Sequence, residues 1–198
     1  MIKTIKKRVI FLQSSMNKKL LEYEYSETDH FKNSIIYSKM LENVKRNINI
    51  EDKMSINKYY FNLKMLYYLL EKYIETGNID VAITIRKIIF ISYKILVNYF
   101  NKKFENVLNE LFEIYYTKNW DYGNAAEFQL MHSGIYSFKT TIEHKIMRIK
   151  SFYNGVNFQV NDEKVWDTIG DLINYCYIYL IWASKNFPMT RNIAITVE

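Results

Sequence analysis

Five glycines and one proline in a chain of 198 residues leave little room for tight hairpins. Strand-rich folds need positive-φ residues and strand breakers at short intervals, whereas helices need them only at their ends. An all-α fold follows as the first expectation. The length suits one domain with a sizeable core, with or without an extended arm, and 49% hydrophobic against 24% charged residues is the balance of a chain that buries one.

Apolar spacing places the helices. Ile2, Ile5, Val9, Leu12, Met16 and Leu20 keep a helical period, as do Phe31, Ile35, Met40, Val44 and Ile48. A third helix is expected after the N-cap candidate Ser55, ending near Gly77. A fourth runs from Asp80 to about Phe100, with strand as the alternative because of its many β-branched residues. A fifth covers "KKFENVLNELFEIYYTK". Thr140 and Glu143 have the spacing of a capping box for a sixth, and a seventh spans about Asp162 to Lys185, before Pro188. The result is a bundle of six to seven helices, with residues 1–100 as an N-terminal helical region and 101–198 as the functional half. The tail "TRNIAITVE" alternates and reads as a short strand or a frayed end.

The lone Cys176 rules out an internal disulfide and a cysteine zinc site. The opening "MIKTIKKRVIFLQSS" has too short an apolar run for a signal peptide, and Arg86, Lys87 and Lys94 interrupt the greasiest segment, so no membrane association is expected and the location expected is the cytoplasm. The net charge of +6 equals the six basic residues Lys3, Lys6, Lys7, Arg8, Lys18 and Lys19 that precede Glu22. That basicity is local to one arm, which makes nucleic-acid binding by the first helix a minor alternative.

Chemistry concentrates toward the C-terminus. On the last helix Val165, Ile169, Leu172 and Cys176 form a core stripe, while Asp167, Asp171 and Asn174 lie opposite, on a side that turns apolar at Ile178, Ile181 and Trp182. Two carboxylates four residues apart at a packed groove suit a hard divalent cation; the alternative is a solvated acidic half-turn. On the preceding helix Lys145 and Arg148, with Thr141 beside them, offer a grip for phosphate oxygens or else a solvated basic face. His132 and His144 lie in no ligand array, and the run "YCYIYLIW" reads as core before it reads as a base-stacking platform.

Three segments together, "KNWDYGNAAE", "IEHKIMRIKS" and "VWDTIGDLINYCYIYL", resemble the first nucleotide-modification-associated domain, a phage and bacterial family similar to the all-α MazG-type nucleotide pyrophosphohydrolases. The matching residues are Lys118, Asp121, Tyr122, Gly123, Lys145, Arg148, Ile149, Asp171, Asn174 and Tyr175, over about residues 101 to 186. The resemblance implies a MazG-like C-terminal half and a host-cytoplasmic setting if the chain is phage-encoded. It implies binding of a deoxynucleoside triphosphate, ordinary or modified, and hydrolysis to monophosphate and pyrophosphate. It also implies Mg²⁺ or Mn²⁺ as cofactor and a homodimer or larger homo-oligomer, for which the apolar helices between Ser55 and Phe100 offer an interface.

In that picture Asp171, Lys145 and Arg148 are catalytic, and Lys118, Trp120, Asp121, Tyr122, Gly123, Asn174 and Tyr175 meet the substrate. Asp167, Asp171 and Glu127 hold the metal; where the family carries E-x-x-E on a preceding helix, Glu127 or Glu143 is expected to substitute. The alternative is a catalytically silent module that holds a nucleotide or a partner protein.

Overall fold

A computed structural model describes residues 8–10, 21–23, 26–76, 80–121, 124–154 and 164–187. Its elements are β1 (Arg8–Ile10), β2 (Leu21–Tyr23), α1 (Glu27–Asn47), α2 (Ile56–Thr76), α3 (Asp80–Lys94), α4 (Phe104–Asp121), α5 (Ala125–Tyr153) and α6 (Val165–Asn186). Six α-helices carry the described body, and the all-α bundle expected from the sequence is the one observed.

α6 is the axis. It packs against α1, α3, α4 and α5, while α2 lies across α3 and α5. The reason is compositional: beyond the buried stripe Val165, Ile169, Leu172 and Cys176, its other sides carry Ile173, Tyr177, Leu180 and Ile181, all buried as well. A helix that is apolar nearly all round is stable only inside a bundle.

The core runs across residue 100 without a seam. Tyr37 of α1 stacks on Tyr115 of α4 at 4.2 Å and touches Tyr177 of α6 at 4.5 Å. Its hydroxyl donates to Asn174 Oδ1 at 2.5 Å. Helices α1 to α3 and helices α4 to α6 therefore share one hydrophobic core.

Helix ends follow local chemistry. Ser26, in extended backbone, caps α1 by accepting from the Asp29 N–H at 3.1 Å, with Glu27 and Asp29 in the first turn and Lys45 and Arg46 in the last, where each complements the helix dipole. Ser55 stands just ahead of α2. The helix from Asp80 ends in a π-helical turn, Ile95–Tyr99, where Asn98 Nδ2 donates to the Ile50 carbonyl and the Tyr59 hydroxyl, both at 3.0 Å. Gly77 and the tail lie outside the described residues.

Two expectations are corrected. The helix expected over residues 2–20 gives way, where the backbone is described, to an antiparallel ribbon pairing Arg8 with Tyr23, Val9 with Glu22 and Ile10 with Leu21; helical spacing in a short apolar run does not decide between helix and strand. The capping box at Thr140 and Glu143 is not a helix start. α5 is already helical from Ala125 and is interrupted at Gly134, whose φ of 67° and ψ of −169° suit glycine alone. Helix resumes there, Ser137 Oγ donating to the Gly134 carbonyl and Thr140 Oγ1 to that of Tyr136.

Candidate functional site

Three helices bring one charged group together. Asp171 of α6 accepts from Lys145 Nζ of α5 at 2.8 Å, and Lys118 Nζ of α4 stands 3.6 Å from its other oxygen. The carboxylate is about a quarter exposed, so both contacts are formed at a cleft rather than on open surface. One helical turn on, the Tyr175 ring lies 6.0 Å from the Lys145 ammonium.

Asp171, Lys118 and Ile114 are common to two cavities between α4 and α6. One, of about 210 Å³, is also lined by Lys102, Glu110, Trp166, Asp167 and Gly170. The other, of about 290 Å³, is lined by Asn119, Ala125, Ala126, Asn174, Tyr175 and Ile178. Each alone is smaller than small-ligand sites of about 300–1,000 Å³, and together they fall within that range. Gly170 lets the helices come this close, because a Cβ there would stand 2.9 Å from Leu111 Cδ2. Lys102 sits 3.4 Å over the Trp166 ring and pairs with Glu110 at 3.1 Å.

Of the remaining expected site residues, Asp167 and Asn174 each line one of the cavities and the others scatter. Asp167 spends an oxygen on its own helix, accepting from the Lys164 N–H at 3.0 Å as part of the cap of α6. Asn174 is buried, between the Tyr37 hydroxyl and the Leu111 carbonyl, so its amide serves the fold. Trp120 faces α1, its ring 5.0 Å from His30. Arg148 is half-buried one turn past Lys145; neither of the two lines a cavity, and Lys145 joins the site through its contact with Asp171. Asp121 is the exposed last residue of α4, while Tyr122 and Gly123 lie outside the described residues.

Glu127 does not join Asp167 and Asp171. It is buried in the first turn of α5, where it accepts from Asn33 Nδ2 at 3.1 Å, Lys185 Nζ at 2.6 Å and Asn124 Nδ2. Lys185 lies about 21 Å beyond Asp171 along α6 at 1.5 Å per residue. Asn124, in left-handed backbone, turns the chain so that α5 starts against α1 and the far end of α6. Glu143 points to α2 instead, where burial, together with the hydrogen bond to Glu143, pushes the Tyr67 hydroxyl well above its ordinary range.

The acid that does face Asp167 and Asp171 across the cavity is Glu110. Its signal was present in the sequence: Glu110-Leu-Phe-Glu113 is an E-x-x-E on α4, and Glu110, Ile114 and Lys118 repeat at four-residue spacing along one face. As arranged, these carboxylates meet ammonium groups and a helix N-terminus, and among the described residues no three His, Cys, Asp or Glu side chains are grouped closely enough to hold a metal ion.

His30 is buried beside the rings of Tyr116 and Trp120, and desolvation lowers its imidazole pKa below the ordinary 6.5. Burial disfavours its charged form, so the unfolded chain takes up the proton more readily. Stability is therefore held above about pH 6.5 and lost as the pH falls below it. The melting temperature should drop between about pH 7.5 and 5.5, and His30→Gln should remove part of that drop; an unchanged slope in the variant would assign the pH dependence elsewhere.

Compared with family models, with curated proteins and with solved structures, the chain matches none. Among the described residues no helix is long and apolar enough to cross a membrane.

Proposed function

We propose that the protein binds a nucleotide through its phosphates in the cleft between α4 and α6, deoxynucleoside triphosphates and their modified forms being the ligand class. One observation carries this reading: a single carboxylate, Asp171, is held between two ammonium groups, Lys145 and Lys118, where two cavities meet. A phosphate oxygen offers a lysine the same charge and acceptor character as a carboxylate oxygen, so an incoming phosphate exchanges with Asp171 for the same two donors. Lys118 is the member free to swing, its side chain 58% exposed against 19% for Lys145. The Tyr175 ring and Ile178 offer an apolar wall for the base or sugar. The motif resemblance supports triphosphates over other phosphates.

Turnover to monophosphate and pyrophosphate is the second reading. Glu110 favours it, because it faces the same cavity as Asp167 and Asp171 and belongs to an E-x-x-E.

The test is ³¹P NMR of the protein titrated with each common deoxynucleoside triphosphate in the presence of Mg²⁺. Shifted or broadened but intact phosphate resonances are the expected result, and free pyrophosphate would select turnover. Lys145→Ala should weaken binding by roughly ten- to a hundredfold, the loss of one charge-assisted contact. Resonances unmoved by every triphosphate at millimolar protein would overturn the nucleotide reading.

A further inference from the structure

The two cavities that meet at Asp171 differ in chemistry along the axis of α6. Toward Asn174, Tyr175 and Ile178 the charged groups of the lining, among the described residues, are only the shared Lys118 and Asp171. Toward Trp166 and Gly170 the lining adds Lys102, Glu110 and Asp167. A nucleotide has one weakly polar end and one anionic end, so this gradient orients it. The nucleoside lies toward Ile178, and the phosphate chain runs from Asp171 toward the start of α6. That direction also brings the negative charge to the positive end of the helix dipole. From Asp171 back to Trp166 the helix axis covers about 7.5 Å at 1.5 Å per residue, which leaves room for a phosphate beyond the one held at Asp171.

Lys102 stands at the end of that path. Its ammonium lies 3.4 Å over the Trp166 ring and 3.1 Å from Glu110 Oε2. Lys164 Nζ, on an exposed side chain, comes within 5.1 Å of the same ring. The ring holds Lys102 by a cation–π contact whether or not Glu110 is its partner, so a phosphate oxygen can replace the carboxylate while the ammonium keeps its seat. Among the described residues three carboxylates line this cavity, and four ammonium groups stand against them: Lys102 at Glu110, Lys118 and Lys145 at Asp171, and Lys164 beside Trp166. Asp167 is further occupied by the N–H of the α6 cap.

We infer that Lys102, seated on Trp166, receives the terminal phosphate and makes the site select triphosphates over diphosphates and monophosphates. This rests on the nucleotide reading and adds to it the residue that counts the phosphates. Glu110 is the internal competitor for this ammonium, as Asp171 is for Lys118 and Lys145.

Calorimetric titration with the mono-, di- and triphosphate of each common deoxynucleoside, with and without Mg²⁺, tests it. The wild-type protein should bind the triphosphate about tenfold tighter than the diphosphate. In Lys102→Gln that ratio should fall toward one through loss of triphosphate affinity alone, with diphosphate affinity and helical circular dichroism unchanged. Glu110→Gln should tighten the triphosphate by about threefold and leave the diphosphate where it was. Equal wild-type affinity for di- and triphosphate would overturn the inference and leave the nucleotide reading standing, as would an equal loss of both ligands in Lys102→Gln. A weaker triphosphate in Glu110→Gln would overturn the exchange at Lys102 and give Glu110 to the turnover reading instead. Failure of every nucleotide to bind would overturn both this inference and the reading beneath it.

Discussion

Glu127→Ala is expected to destabilise the protein by about 3 kcal/mol, near the low end of the roughly 3–5 kcal/mol lost when one partner of a buried ion pair is removed. Glu127 is 6% exposed and collects three donors from three places in the fold: Asn33 on α1, Asn124 before α5 and Lys185 at the end of α6. Lys185 is about a third exposed and can turn to water when the carboxylate is gone, which keeps the loss from the upper end. The two asparagines are almost wholly buried and lose an anionic acceptor. Glu127→Gln retains an acceptor oxygen without the charge and should cost about half as much. Urea denaturation of the three proteins measures the series. A loss under about 1 kcal/mol for Glu127→Ala would mean that the cluster does not hold α1, α5 and α6 together. Nucleotide binding should survive in whatever fraction stays folded, because Glu127, Asn33 and Lys185 line neither cavity of the Asp171 cleft.

Asp171→Asn is expected to tighten nucleotide binding, by about tenfold, the opposite sign from Lys145→Ala. In the free protein Asp171 occupies both lysines, and a phosphate must displace it. Neutralising the carboxylate weakens that competition and leaves the two ammonium groups in place. If Asp171 instead carries a cation on which the ligand depends, the same substitution abolishes binding. Calorimetric titration with a deoxynucleoside triphosphate, with and without Mg²⁺, separates the two by sign. A loss of affinity in Asp171→Asn would sink the exchange described here and favour the metal-dependent reading.

Much of the bundle is legible along the chain because a helix's own periodicity reports its buried side. Val165, Ile169, Leu172 and Cys176 are the core stripe on α6 that their spacing predicts, and the helix ends at Asn186, just ahead of Pro188. Lys145 and Asp171, 26 positions apart, were separable by spacing into a basic and an acidic face; that these two faces meet is visible only with α5 and α6 packed. Three features exceed what local pattern can carry. The ribbon of β1 and β2 depends on pairing between distant segments, and pairing leaves no helical or strand signature in runs of three residues. The break at Gly134 is a backbone conformation, and a glycine inside a helical pattern does not announce which φ it adopts. Trp120 belongs to the helix surface that meets His30, although its neighbours in sequence suggested a place beside the ligand.

By itself, then, the chain determined its class and most of its helices, since few glycines, one proline and a 3.6-residue apolar period admit little else. It also determined which residue types are available for phosphate chemistry. Only the tertiary structure decided which of them meet. Glu127 went to Lys185 and Glu110 to the cavity of Asp171, because helix rotation and the left-handed turn at Asn124 set the direction in which each carboxylate points. Those angles come from the packing of all six helices at once, a long-range balance that no window of sequence contains.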